Sequence, residues 1–148
     1  MFKLSNLDTE SAQEQGAWMH IIDPATGEPA YADLEQEKPV RIKYKGWLSQ
    51  DGKEIGINGR NKLVQEAVKK GKKKDEPVMM SVADLEENAK SDAETLTKLA
   101  IDWENIIDEN GKEIKFSKET FKNVALNHLE LRRQSLEFLN DQKAFFEA

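Results

Sequence analysis

Val40-Arg41-Ile42-Lys43-Tyr44-Lys45 alternates apolar and basic residues without a break. A period of two puts Val40, Ile42 and Tyr44 on one side of an extended chain and Arg41, Lys43 and Lys45 on the other. That is the pattern of a strand with one face buried and a basic face in water. A half-buried strand needs partners, and the upstream sequence offers them. Trp18-Met19-His20-Ile21-Ile22 is rich in strand formers and runs into Asp23-Pro24-Ala25-Thr26-Gly27-Glu28-Pro29, where Asp-Pro opens a turn and Gly27 can take a positive φ. Tyr31 then begins a second short strand or an extended connection, so residues 17–34 read as a hairpin. Downstream, Asp51-Gly52 is a turn signal. The four glycines from Gly46 to Gly59 argue against another strand before residue 60.

Beyond that point the period changes to that of a helix. Leu63, Val64, Ala67 and Val68 share a face over residues 60–70, with Gly71 as a plausible cap and Lys69, Lys70, Lys72, Lys73 and Lys74 crowding the helix end. Asp75-Glu76-Pro77 breaks the chain. The longest helical signal begins at Ser81, an N-cap with Asp84 at the capping-box position. Val82, Leu85, Ala89, Ala93, Leu96, Leu99, Ala100 and Trp103 recur at spacings of three and four, which predicts one helix reaching Ile106. Asn110-Gly111 marks a turn, Ile114 and Phe116 a short extended piece, and Ser117 the cap of a helix carrying Phe121 and Val124. A last helix is predicted from Leu129 to Phe146. The fold class is therefore α+β: two to four antiparallel strands within a β-rich part, residues 1–57, then a helix and lysine-rich linker, 58–77, and a mainly helical part, 78–148.

The 148 residues are 38% apolar and 34% charged, so the core is thin for the length and much of the surface is solvated. The net charge of −6 is unevenly spread: residues 1–38 carry −6, 39–74 carry +8 and 75–148 carry −8. Such asymmetry speaks of surfaces and partners, and a basic middle attracts acidic protein, including the acidic ends of another copy. The absence of cysteine excludes disulfides and thiolate metal sites and suits a reducing, intracellular compartment. No stretch approaches the roughly 20 apolar residues that cross a bilayer, and Met1 to Glu14 lacks a signal-peptide core.

Chemistry leaves few traces. His20 and His128 are the only histidines, and neither stands in a nucleophile motif. The carboxylates form no HExxH and no calcium loop, and the glycines form neither a dinucleotide fingerprint nor a phosphate loop. No catalytic residue, metal site or cofactor is expected. The lysine run at 69–74 would attract phosphate, but no aromatic side chains interleave with it to stack bases. A solvated helix end is the simpler account.

Thr97 through Glu119 (TKLAIDWENIIDENGKEIKFSKE) resembles a module of tailed-phage proteins: helix, tryptophan, an acidic-Asn-Gly-Lys turn, then Phe-Ser and a short helix. The closing helix with Leu131 to Phe138, and the front segment Ala17 to Pro29 followed by the strand at Val40, are similar to the same group, the tail assembly chaperones of long-tailed phages and prophages. Residues 46–76 depart from that pattern. The resemblance implies a non-catalytic protein of the bacterial host cytoplasm that coats the hydrophobic tape-measure protein and helps recruit tail-tube subunits. An acidic partner with an apolar helical face could keep such a ligand dispersed. The contact face expected for that task is Leu131, Leu136, Phe138, Leu139, Phe145 and Phe146. Two other readings stand beside it: a structural virion component such as a tube or head–tail joining protein, from the strands at 17–45, and a nucleic-acid-binding accessory protein, from the lysine run.

Overall fold

The computed structural model describes residues 2–56 and 82–145. The predicted helix at 60–70, the lysine run 69–74, the Ser81 cap and Phe146 lie outside the described residues. The architecture is α+β: a three-stranded antiparallel sheet with helices packed on one face.

The chain enters through a short 3-10 turn, Leu4–Leu7, and helix α1, Thr9–Gln15, whose start is capped by the Asp8 carboxylate accepting from the Ser11 N–H at 3.1 Å. Gly16 ends α1 at φ +88° and turns the chain into strand β1, Ala17–His20. A side chain at Gly16 would press on the Tyr44 carbonyl and the Ile101 side chain, both 2.9 Å from where its Cβ would stand. Strand β2, Arg41–Tyr44, has the alternation read from its sequence: Ile42 and Tyr44 are fully buried, and Arg41 and Lys43 face outward.

The hairpin predicted over 17–34 is only partly realised. Ile22 bridges Pro29 around the 23–28 turn, but the partner of β1 is β2, with Ala17 opposite Tyr44 and His20 opposite Arg41. Tyr31 bridges Pro39 in the connection between them. Asp51-Gly52 is also not a hairpin turn. Residues 50–56 are helical (α2), and Gly52 sits there because a side chain would collide with the backbone carbonyls of Gly46 and Trp47.

The largest correction concerns residues 100–104. The helical spacing predicts one helix to Ile106, yet α3, Val82–Leu99, stops at Leu99 and passes without a loop into strand β3, Ala100–Glu104. β3 pairs with β2 on the side away from β1, so the sheet order is β1-β2-β3. A bulge opposite Lys43/Tyr44 explains the misreading. It inserts one extra residue, leaves Ile101 and Asp102 both exposed, and brings Ala100 and Trp103 to the core face three residues apart. A bulged strand thereby copies the spacing of a helix.

After β3, Ile106–Ile114 forms a small hairpin. The Asp108 carboxylate accepts from Asn110 N–H and Lys112 N–H at 2.8 and 2.9 Å, and Gly111 is at φ +80°. Helix α4, Lys118–Asn127, is capped by Ser117 as read from the sequence, its Oγ accepting from Thr120 N–H at 3.1 Å. Helix α5, Leu129–Leu139, is shorter than predicted. It ends at Asn140, and a 3-10 turn, Gln142–Phe145, folds back toward α1.

One core results. Met19, Ile42, Tyr44 and Trp103 from the sheet meet Ala93, Leu96 and Leu99 of α3, Phe121 and Ala125 of α4, and Leu139 of α5. Tyr44 and Phe121 pack edge to face at 6.0 Å, and Trp103 stands edge-on to Phe116 at 5.5 Å. Both buried polar handles are paired: Tyr44 Oη lies 2.7 Å from Ser135 Oγ, and Trp103 Nε1 donates to the Ile114 carbonyl at 2.7 Å.

Candidate protein-binding groove

The helices do not cover the sheet to its end. Between the chain that leaves β1, the end of β3 and the α4–α5 corner lies an open apolar groove of about 270 Å³. Ile21, Ile22 and Pro24 form one wall, Trp103 and Ile106 another, and Val124 and Leu131 the helical side, with Ile42 also among the lining residues. Cofactor and drug-sized ligand sites run to roughly 300–1,000 Å³. This groove is smaller, and its size suits one or two apolar side chains.

Two of these walls are held in place by specific polar contacts. Gln134, buried on α5, accepts from Ile22 N–H at 2.8 Å and donates to Ile22 C=O at 2.7 Å, so one primary amide satisfies both backbone groups of that residue. The buried Arg132 turns the opposite way. Its Nη1 donates to the Ala125 and Leu126 carbonyls, both at 2.8 Å, and closes the C-terminus of α4. His128, at the corner, lies with Nδ1 2.7 Å from the Val124 carbonyl. On the rim, Glu130 is held charged below its ordinary pKa, first by hydrogen bonds from Arg133 and then by one from Gln134. Between His128 and Glu130, Leu129 stands 71% exposed. An apolar slot with a charged rim forms a surface suited to an apolar anchor from another polypeptide.

Only part of the contact face expected from the sequence lies on this surface. Leu131 lines the groove. Leu139 and Phe145 are 1% and 7% exposed and belong to the core, while Leu136 and Phe138 are half-buried against it. Phe146 and the lysines at 69–74 are outside the described residues. The groove residues passed over in the sequence are Ile21, Ile22, Ile106, Val124 and Gln134. Ile21-Ile22 and Ile106-Ile107 show in the sequence only as short apolar pairs beside turns, and Val124 and Gln134 as single helical positions, which the pattern of a single element does not join.

The two histidines are not brought into a catalytic arrangement. His20 Nε2 lies 2.7 Å from the Ala30 carbonyl and its ring is edge-on to Tyr31 at 5.0 Å, whereas His128 contacts a helix carbonyl. Among the described residues no group of histidines and acids is arranged to hold a metal ion, and no helix is long and apolar enough to cross a membrane. Comparison with protein-family models, with curated proteins and with solved structures finds no match.

Proposed function

We propose that this chain is a non-catalytic protein of phage tail morphogenesis, a tail assembly chaperone that binds the tape-measure protein and helps recruit tail-tube subunits in the bacterial cytoplasm. The resemblance of residues 97–139 to that group motivates the assignment. The observation that supports a binding role is the open apolar groove between Ile22 and Leu131. A tape-measure protein exposes apolar helical stripes that aggregate. Docking one apolar side chain after another into such slots, on carriers with surplus negative charge, keeps it dispersed.

Co-expression with the tape-measure protein of the same genome tests this. The expected result is a larger soluble fraction of that protein and its co-purification with this chain. Ile22→Asp, a change at a groove-lining side chain that is 36% exposed, is expected to abolish co-purification while the circular dichroism spectrum stays that of the wild type. No gain in solubility and no co-purification would refute the assignment. Mass spectrometry of finished particles separates it from a structural virion component, because a chaperone is absent from the virion.

A further inference from the structure

The ladder of β1 has a free side. Ile21 N–H donates to the Val40 carbonyl, and hydrogen bonding in an antiparallel pair alternates, so Ala17, Met19 and Ile21 face β2 while Trp18, His20 and Ile22 present their N–H and C=O groups to the outer edge. At Ile22 both groups are taken by the Gln134 amide, which makes the two hydrogen bonds that a neighbouring strand would make. At Trp18 and His20 they have no protein partner among the described residues. Edges are usually blunted by charge, proline or a bulge. β3 has a bulge, Asp102 and Glu104; β1 reads Ala-Trp-Met-His and has none of these.

A slot runs along that edge. One concavity of about 320 Å³ lies between Met19, His20 and Ile22 on the strand side and Glu137, Phe138 and Asp141 on the helix side. A second, of about 520 Å³, continues it past Trp18 to Arg41 and Lys43 on the outer face of the sheet and shares His20 and Phe138 with the first. The geometry points to addition of a single extended segment from a partner polypeptide, with basic residues at alternate positions, between β1 and α5. The identity of the occupant follows from three features. The unpaired groups are peptide donors and acceptors in strand register, which a peptide backbone satisfies about 4.8 Å away. Gln134 of α5 closes the edge at Ile22, so the open ladder is confined to Trp18 and His20 and suits one short segment. The helical wall carries Glu137 and Asp141 beside Arg133, which is engaged by Glu137 and by Glu130, while the cations Arg41 and Lys43 line the slot only on the sheet side, so basic residues suit the row of the added strand that faces α5. A lysine or arginine facing that wall lays its stem on Phe138 and its charge beside Asp141.

This inference rests on the protein-binding role only in taking the occupant to be a polypeptide. The probe is the acetylated, amidated peptide Thr-Lys-Val-Lys-Val-Lys-Thr, added to the full chain while amide hydrogen exchange is followed residue by residue. Exchange at Trp18 and His20 is expected to slow by about tenfold or more at peptide concentrations up to about 1 mM. Two N-methylated peptides, methylated on alternate amides in the two possible registers, are expected to differ, one binding like the parent and the other not at all. Replacement of the lysines by glutamates is expected to weaken binding by about tenfold. Absence of protection at Trp18 and His20, equal binding of both methylated forms, or protection at Val124 and Leu131 instead would overturn the inference. So would edge amides already protected in a dimer of the free protein, which would make the occupant a second copy. If the tape-measure protein co-purifies while the peptide fails, the edge site falls and the chaperone assignment stands.

Discussion

Tyr44 shows how much one residue of β2 carries. Its ring fills the centre of the core, and its hydroxyl has one partner, Ser135 on α5, across 91 residues of sequence. Removing either oxygen leaves the other buried and unpaired. Tyr44→Phe is therefore expected to cost about 1–2 kcal/mol in urea unfolding, and the double change with Ser135→Ala is expected to recover part of that loss. The phenol's pKa is pushed above its ordinary value, chiefly by burial, with the Ser135 hydrogen bond opposing. A folded pKa above the unfolded one means that this stabilisation is complete below about pH 10 and is lost as the pH climbs beyond it. The stability gap between wild type and Tyr44→Phe is thus expected to be constant near neutrality and to narrow in alkaline urea titrations. A gap unchanged to pH 11 would show that the hydroxyl is not buried as described.

At the scale of elements, the α3–β3 junction depends on Lys118. Its ammonium donates to the Thr97 carbonyl at 2.7 Å, to that of Lys98 at 3.3 Å and to that of Ala100, so a cation from the start of α4 closes the end of α3. Lys118→Met keeps the stem and removes the donors. It is expected to cost about 1–2 kcal/mol and to speed amide exchange in the last turn of α3 before that of its middle. The sequence made the elements legible unevenly, and the reasons are local. β2, the Ser117 cap and the Asn110-Gly111 turn were readable because each depends on its own few residues. β3 was not, because its bulge gave Ala100 and Trp103 the spacing of a helix. The β1–β2 pairing was obscured by the Asp23–Pro29 turn, which advertises a local hairpin while the longer-range partner takes the ladder. The groove was the least legible feature, since Ile22, Ile106 and Val124 become neighbours only when three connections close.

At the scale of the molecule, the third strand joins the two ends of the chain. β2 from the front is held between β1 and a strand that arrives after α3, and Ser135 and Gln134 from α5 bond to Tyr44 and Ile22. Residues 1–57 expressed alone are therefore expected to show no cooperative melting transition and little sheet by circular dichroism, whereas the full chain melts in one step. A fragment that melts cooperatively by itself would show the front to be self-sufficient. The helix-to-strand joint at Leu99–Ala100 has a mechanical meaning as well. α3 is 18 residues, about 27 Å, of stiff rod. It is welded to the sheet without a hinge, since Lys45 N–H grips the Leu99 carbonyl at 2.9 Å, one step beyond the strand ladder. A load applied at the far end of that rod is delivered as leverage on β3 and β2, with no slack loop to absorb it.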